Sequence, residues 1–237
     1  MRESGILMHI TSLPTPYGIG TMGKDAYAFV DFLVKAGQRC WQILPLTPTG
    51  YGDSPYQSLG ACAGNHYLID LDTLVDEGLL KKEEIQDISW GNNPKRVDFG
   101  AMYAHRMNVL RLAFQRFTPD KAYETFVEQN RSWLEDYALF MALKGTLGGK
   151  PWLDWPEALR LRKADALAEK RWELSGEIRL QFFAQYEFDK QWKALRSYAN
   201  AKGVRIIGDV PIYVPLDSAD VWANPELFQL DESRHPE

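Results

Sequence analysis

Cysteine and histidine are scarce in this chain. Its 237 residues include two cysteines and four histidines. Cys40 and Cys62 are too few for a disulfide framework, so reduced, packed thiols are expected. His9, His66, His105 and His235 fall in no HExxH or Cys/His ligand spacing, and no dedicated metal site is expected. Basic charge is also not in excess. The 27 Lys and Arg against 32 Asp and Glu give a net −5, which argues against nucleic acid or an anionic membrane as the main partner. No apolar run approaches the ~18 residues of a spanning helix. The opening stretch from Met1 to His9 turns polar early and carries Glu3, unlike a secretory leader, so a cytoplasmic location is expected. The glycines of Gly18-Ile19-Gly20 do not follow a strand as a GxGxxG turn does, which removes a dinucleotide fingerprint.

What remains is globular composition, 45% hydrophobic and 25% charged, long enough for one large domain or two small ones. The first unit reads as strand, helix, strand. Gly5 to Ile10 is a short apolar run. Lys24 to Ala36 has helical periodicity, with Phe29, Phe32, Leu33 and Ala36 on one face, and Gly37 follows as a left-handed C-cap. Arg39 to Leu46 resumes as a buried strand. Strands joined through a helix are expected to be parallel. From about Glu77 to Asn200 the pattern is helical. Tyr103, Met107, Leu110, Phe114 and Phe117 mark one helix, and Thr118-Pro119 reads as an N-cap with proline at the first helical position. Leu134, Tyr137, Ala138 and Met141 mark the next, broken by Gly145, Gly148, Gly149 and Pro151. Ile178, Phe182, Tyr186, Trp192, Leu195 and Ala199 mark a long one, closed by Gly203. Val204 to Val214 then returns to strand character.

The expected fold is α/β: a partial (β/α)8 barrel, its first three strands carrying a large helical insertion. The segments are 1–76 for the first part of the barrel, 77–200 for the insertion and 201–237 for the return. Three strands are fewer than the eight of a closed barrel and leave an edge open, so part of a larger domain is expected.

Two constellations point to chemistry. The loop after the second strand carries Tyr51-Gly52-Asp53-Ser54-Pro55-Tyr56. Sugars stack C–H faces on aromatic rings and hydrogen-bond to Asp, Ser and Tyr; the competing reading is a proline-stiffened turn with packed tyrosines. Ile207-Gly208-Asp209-Val210-Pro211 puts a carboxylate at a strand end, where barrels build sites, though an Asp capping a turn or pairing with Arg205 fits equally. Trp133, Trp172 and Trp192 read as core aromatics, and Trp152-Leu153-Asp154-Trp155 as a packed loop. His9 reads as a core or rim histidine satisfied by backbone. The runs Lys81-Lys82-Glu83-Glu84 and Arg160-Leu161-Arg162-Lys163 read as solvated helix faces.

Several motifs in order give a resemblance. Ser4-Gly5-Ile6-Leu7-Met8-His9-Ile10-Thr11-Ser12-Leu13-Pro14, Trp41-Gln42-Ile43-Leu44-Pro45-Leu46, Gly52-Asp53-Ser54-Pro55-Tyr56-Gln57-Ser58, Ile207-Gly208-Asp209-Val210-Pro211-Ile212-Tyr213-Val214 and Asp217-Ser218-Ala219-Asp220-Val221-Trp222-Ala223-Asn224-Pro225 resemble the N-terminal half of the 4-α-glucanotransferases (amylomaltases, disproportionating enzymes) of the α-amylase superfamily. The resemblance implies no cofactor and α-1,4-glucans as partners. Tyr56 matches the family's loop tyrosine near the acceptor subsites, with Ser54 beside it. Asp209 matches a strand-end Asp lining the sugar cleft. Tyr51 and Tyr103 match tyrosines of a second glucan-binding surface, and Trp222 a structural tryptophan. The family's nucleophile motif, of the Arg-x-Asp-His-Phe type, is absent from these residues. The catalytic carboxylates are therefore expected outside them, and the stretch alone is expected to be inactive. A non-catalytic glucan-binding module and another α-amylase-superfamily hydrolase are the alternatives.

Overall fold

A computed structural model of the chain describes residues 2–50, 52–93 and 95–237. Three parallel strands form one sheet in the order β1 (Gly5–Leu7), β2 (Cys40–Gln42), β3 (Arg205–Ile207). The register aligns Ile6, Trp41 and Ile206 on one face. Trp41 is fully buried there, its indole N–H donating to Met8 O at 2.7 Å. Leu7, Gln42 and Ile207 align on the other face, where Leu7 and Ile207 are 56% and 46% exposed.

All three strands are shorter than their apolar runs suggest, for local reasons. Past β1 the chain turns into a 3-10 segment, Ile10–Ser12. Past β2, Ile43 still donates to Ile207 O at 2.9 Å, but Pro45 has no N–H to continue a ladder. Past β3, Asp209 Oδ1 accepts from Val210 N at 2.8 Å, and Pro211 again removes a donor.

The helix α1 (Lys24–Lys35) buries Ala26, Val30 and Leu33. Phe29 meets Trp41 edge-on, with centroids 5.1 Å apart, while Phe32 is exposed, so the buried stripe is narrower than its apolar positions. Gly37 has φ +70°, the left-handed conformation of a C-cap. Next come α2 (Leu71–Asp76) and α3 (Phe99–Arg116). The buried face of α3 is Met102, Arg106, Val109, Leu110 and Ala113; Tyr103, one residue off that stripe, is exposed. The helix α4 (Lys121–Thr146) is capped by Asp120, whose carboxylate accepts from Tyr123 N at 2.8 Å. The cap is therefore Asp120 rather than Thr118, because a carboxylate at that position reaches the orphan N–H. The remaining helices are α5 (Glu157–Arg160), α6 (Ala164–Glu173), α7 (Ser175–Ala201) and α8 (Ala219–Ala223).

The chain forms two compact units. The first comprises Met1–Leu46, Gly64–Pro119 and Ala184–Val210, and holds the sheet; the second comprises Thr47–Ala63, Asp120–Phe183 and Pro211–Glu237. These lines differ from the sequence segments 1–76, 77–200 and 201–237, because residues 77–119 and 184–200 fall in the unit that holds the strands, and residues 47–63 and 211–237 in the other. The second unit has its own core, in which the rings of Phe140, Trp155 and Trp222 meet at 5.3–5.9 Å. Trp152 and Trp155 are buried as expected of a packed loop, whereas Trp172 is 83% exposed and is not core. Among the described residues, no helix is long and apolar enough to cross a membrane.

Candidate functional site

The loop after β2 is a hydrogen-bonded structure rather than a slack connection. Thr49 and Ser58 form an antiparallel bridge. Gly50 N donates to Gln57 O at 2.9 Å, Gln57 N to Ser54 O at 3.1 Å and Leu59 N to Pro48 O at 3.3 Å. Thr47 Oγ1 donates to Pro55 O at 3.3 Å. At the tip, Gly52 and Asp53 have φ of +90° and +57°, and Asp is among the few side chains that tolerate that region. Ser54 Oγ accepts from Tyr56 N at 3.3 Å. The serine thereby shapes the turn, and the ring of Tyr56 is held 45% exposed.

In the first unit, the segment from Gly64 to Asp70 is pinned by two glutamines of α7. Gly64 N donates to Gln185 Oε1 at 2.7 Å, and Gln185 Nε2 returns a bond to Gly64 O at 2.9 Å. Asp70 N donates to Gln191 Oε1 at 2.7 Å, and Gln191 Nε2 donates to Asp70 O at 3.3 Å. Each carboxamide pairs with a peptide group as a neighbouring strand would. A Cβ at Gly64 would collide with the Phe188 ring, so only glycine lets α7 come this close. Arg106, fully buried, donates through Nη2 to Tyr67 O and Ile69 O at 2.5 and 3.1 Å. The polar Asp70 caps α2, accepting from Thr73 N at 2.8 Å and from Thr21 Oγ1 at 2.7 Å. Sequence patterning missed Gln185, Gln191 and Arg106, since polar residues on a helical stripe carry no periodic signal.

The expected sugar-binding residues divide between the units. Ser54 and Tyr56 sit together on the second-unit loop. Asp209 and Tyr103 belong to the first. Asp209 is exposed just past β3, and Tyr103 is 53% exposed on α3 with its ring edge on Tyr67, 6.1 Å between centroids. Tyr51 lies outside the described residues. The two charged runs are anchored rather than simply solvated. Lys82 Nζ reaches Tyr17 Oη at 2.8 Å and Asp72 Oδ1 at 2.5 Å. Glu84 is bidentate to Arg116, with its carboxyl pKa drawn down to about 2 by that arginine. Arg162 lies 4.2 Å over the Trp222 ring and pairs with Asp136 at 2.8 Å.

His9 and His66 are held neutral. Burial pushes His9 down to about 4, and its Nδ1 has no protein hydrogen-bond partner among the described residues, contrary to a backbone-satisfied histidine. Burial, and then the Arg106 charge, push His66 down to about 3; neither of its ring nitrogens has such a partner. The unfolded chain protonates His66 near its ordinary 6.5. The stability it contributes is therefore complete above that pH and is lost as pH falls from 6.5 toward 3. Between pH 7 and 5 that loss is about 2 kcal/mol. His66→Phe keeps a ring tilted against Tyr67, where the centroids are 4.4 Å apart, and removes this dependence. Urea unfolding at the two pH values should show a drop about 2 kcal/mol smaller for the variant, and equal drops would contradict the assignment.

The sequence matches the 4-alpha-glucanotransferase family over residues 8–234. It is 50% identical over 241 residues to a 4-alpha-glucanotransferase of Thermus thermophilus, covering 99% of this chain and 47% of the relative. It is 48% identical over 227 residues to one of Clostridium butyricum, covering 95% and 47%. The structure superposes on the amylomaltase of Streptococcus agalactiae in complex with acarbose with a TM-score of 0.96 at 48% identity, covering all of this chain and 48% of that one. The chain thus spans about half the length of the curated relatives it matches.

Proposed function

Because the chain belongs to the 4-alpha-glucanotransferase family, we propose that the whole protein transfers α-1,4-glucan segments between maltodextrins, and that these residues build part of its sugar cleft. In a retaining double displacement a carboxylate attacks the anomeric carbon while an acid protonates the departing glycosidic oxygen. A glycosyl-enzyme forms, and the 4-hydroxyl of a second glucan resolves it. The nucleophile and the acid/base come from carboxylates outside residues 1–237. Within them, Asp209 lines the cleft at the strand end, Ser54 shapes the loop, and Tyr56 offers its ring to an acceptor sugar. Tyr51 and Tyr103 belong to a second glucan-binding surface. The barrel is completed by further strands beside β1 and β3, which close over the sheet face where Leu7 and Ile207 stand exposed.

The observation that carries this reading is the hydrogen-bonded loop that presents Tyr56 exposed on a chain of this family. Transfer prevails over hydrolysis only when a sugar occupies the acceptor position in place of water. In the complete protein, Tyr56→Ala should raise the acceptor KM about tenfold, the loss of one aromatic platform of about 1.5 kcal/mol. It should also divert the glycosyl-enzyme to water. Reducing ends produced per maltotriose consumed should stay near zero for the unaltered protein and rise for the variant. An unchanged KM and ratio would remove Tyr56 from the acceptor site, and a high ratio in the unaltered protein would identify a hydrolase.

A further inference from the structure

The ring of His9 is half-buried, and its Nδ1 is sealed with no hydrogen-bond partner among the described residues. Buried polar atoms are normally paired, and the exceptions concentrate where a site requires them. The sheet places this ring. β1 ends at Leu7 and β3 at Ile207, and the ladder runs one residue further: Met8 N donates to Gln42 O at 3.0 Å, and Ile43 N to Ile207 O at 2.9 Å. His9 continues extended, with φ −68° and ψ 143°. Side chains alternate between faces along a strand. His9 and Asp209, each two residues past the last aligned position, therefore share the face of Leu7, Gln42 and Ile207. The opposite face is the one α1 covers, through Phe29 on Trp41. In a barrel the helices form the outer ring, so His9 and Asp209 stand on the inner side, at the carboxyl ends of their strands. Half-buried Leu44 holds the place between them on the extension of β2. The outer two of three strands lie roughly 10 Å apart, which leaves room for one sugar residue between the two side chains.

We propose that His9 binds a hydroxyl of the glucose residue held in the cleft, across the sheet from Asp209. The inference deepens the proposed function and rests on it, since that reading supplies the closed barrel and the glucan. Burial keeps the imidazole neutral, with its pKa pushed down to about 4. A neutral imidazole has one N–H donor and one acceptor nitrogen. The sealed Nδ1 faces no acceptor, so the proton sits on Nε2, and that N–H donates to the sugar. The Asp209 carboxylate accepts from a different hydroxyl of the same ring. Leu44 between them offers an apolar floor to the C–H face, the mixture of a few polar groups on an apolar lining that small-molecule sites use. A donor on one side and an acceptor on the other fix which way the ring lies.

The test is a cycle between side chain and substrate in the complete protein. Maltotriose is the donor, alongside analogues that each lack one hydroxyl, with glucose at a fixed concentration as acceptor. For the unaltered protein, one analogue should lower kcat/KM about tenfold through the loss of the His9 hydrogen bond. His9→Phe fills the place of the ring without an N–H. It should lower kcat/KM for maltotriose about tenfold and lose nothing further with that same analogue. His9→Gln returns a donor near the position of Nε2 and should recover most of the rate. If His9→Phe does not fold, His9→Asn, whose amide falls short of Nε2, runs the same cycle with the same expectation. A ring that only supports the fold would lower the rate by one factor for maltotriose and every analogue. That outcome overturns the inference and leaves the proposed function standing, as does His9→Phe at full rate. An unaltered protein that does not disproportionate maltotriose overturns both.

Discussion

Maltotriose incubated with residues 1–237 alone should remain maltotriose, with neither glucose nor longer maltodextrins above an enzyme-free control. Retaining transfer needs two carboxyl groups about 5–5.5 Å apart, one of them a protonated acid near neutral pH. A general acid of this kind has its pKa pushed up by burial or by a like charge. Asp31, Asp72 and Glu84 are all shifted the other way. Hydrogen bonds from Tyr198 and Lys202 lower Asp31. At Asp72 burial works upward, but the donors Lys82 and Tyr17 outweigh it and the carboxyl is lowered. Arg116 lowers Glu84. These are structural ion pairs. Asp209, the one strand-end carboxylate among the described residues, is exposed and already accepts the Val210 N–H. Chromatography of an overnight reaction checks the expectation, and clear disproportionation would mean that the reacting pair lies within these residues after all.

Trp222→Ala should cost the second unit about 3–5 kcal/mol, the range for truncating a large buried aromatic. The side chain is 1% exposed. Its ring meets Trp155 at 5.6 Å and Phe140 at 5.9 Å, and carries Arg162 at 4.2 Å. Its indole N–H donates to Leu159 O at 3.0 Å. Truncation opens a cavity between two aromatics, leaves that carbonyl without its donor and strips Arg162 of the ring beneath it. Trp222→Phe keeps most of the volume and should cost clearly less. Urea unfolding followed by near-ultraviolet circular dichroism reports the second-unit aromatics directly. A loss below about 1 kcal/mol for the alanine variant would show that the cluster repacks around the gap.

Local signals were the legible ones. The end of α1 could be read because Gly37 needs no distant partner to adopt φ +70°. The parallel order of the strands followed from the helix between β1 and β2. The Tyr56 loop was visible as a composition of Gly, Pro and Tyr, and Ser54 acts only two residues away. Depth was less legible. Tyr103 falls on an apolar-looking repeat yet is exposed, because Arg106 rather than an apolar residue turns inward on α3. Trp172 was expected in the core because aromatics on helices usually are, and nothing in its neighbours marks the open side of α6. Least legible were Gln185 and Gln191. They resemble solvent-facing polar residues until the peptide groups 121 positions earlier are brought against them.

That separation has a consequence for the order in which the chain is made. Gly64 and Asp70 leave the ribosome 121 residues before the carboxamides that pair with them. At synthesis rates of about 5–20 residues per second, the wait is roughly 6–24 s. Throughout it, the Gly64 and Asp70 peptide groups lack these carboxamide partners. β2 likewise waits for β3, since Cys40 and Arg205 pair across 165 positions. The second half of α7 and the strand directly after it therefore arrive almost together, and they close the first unit in one late step. Until then the nascent chain presents an unpaired edge and an unfinished core, the state in which a growing polypeptide has most need of a chaperone.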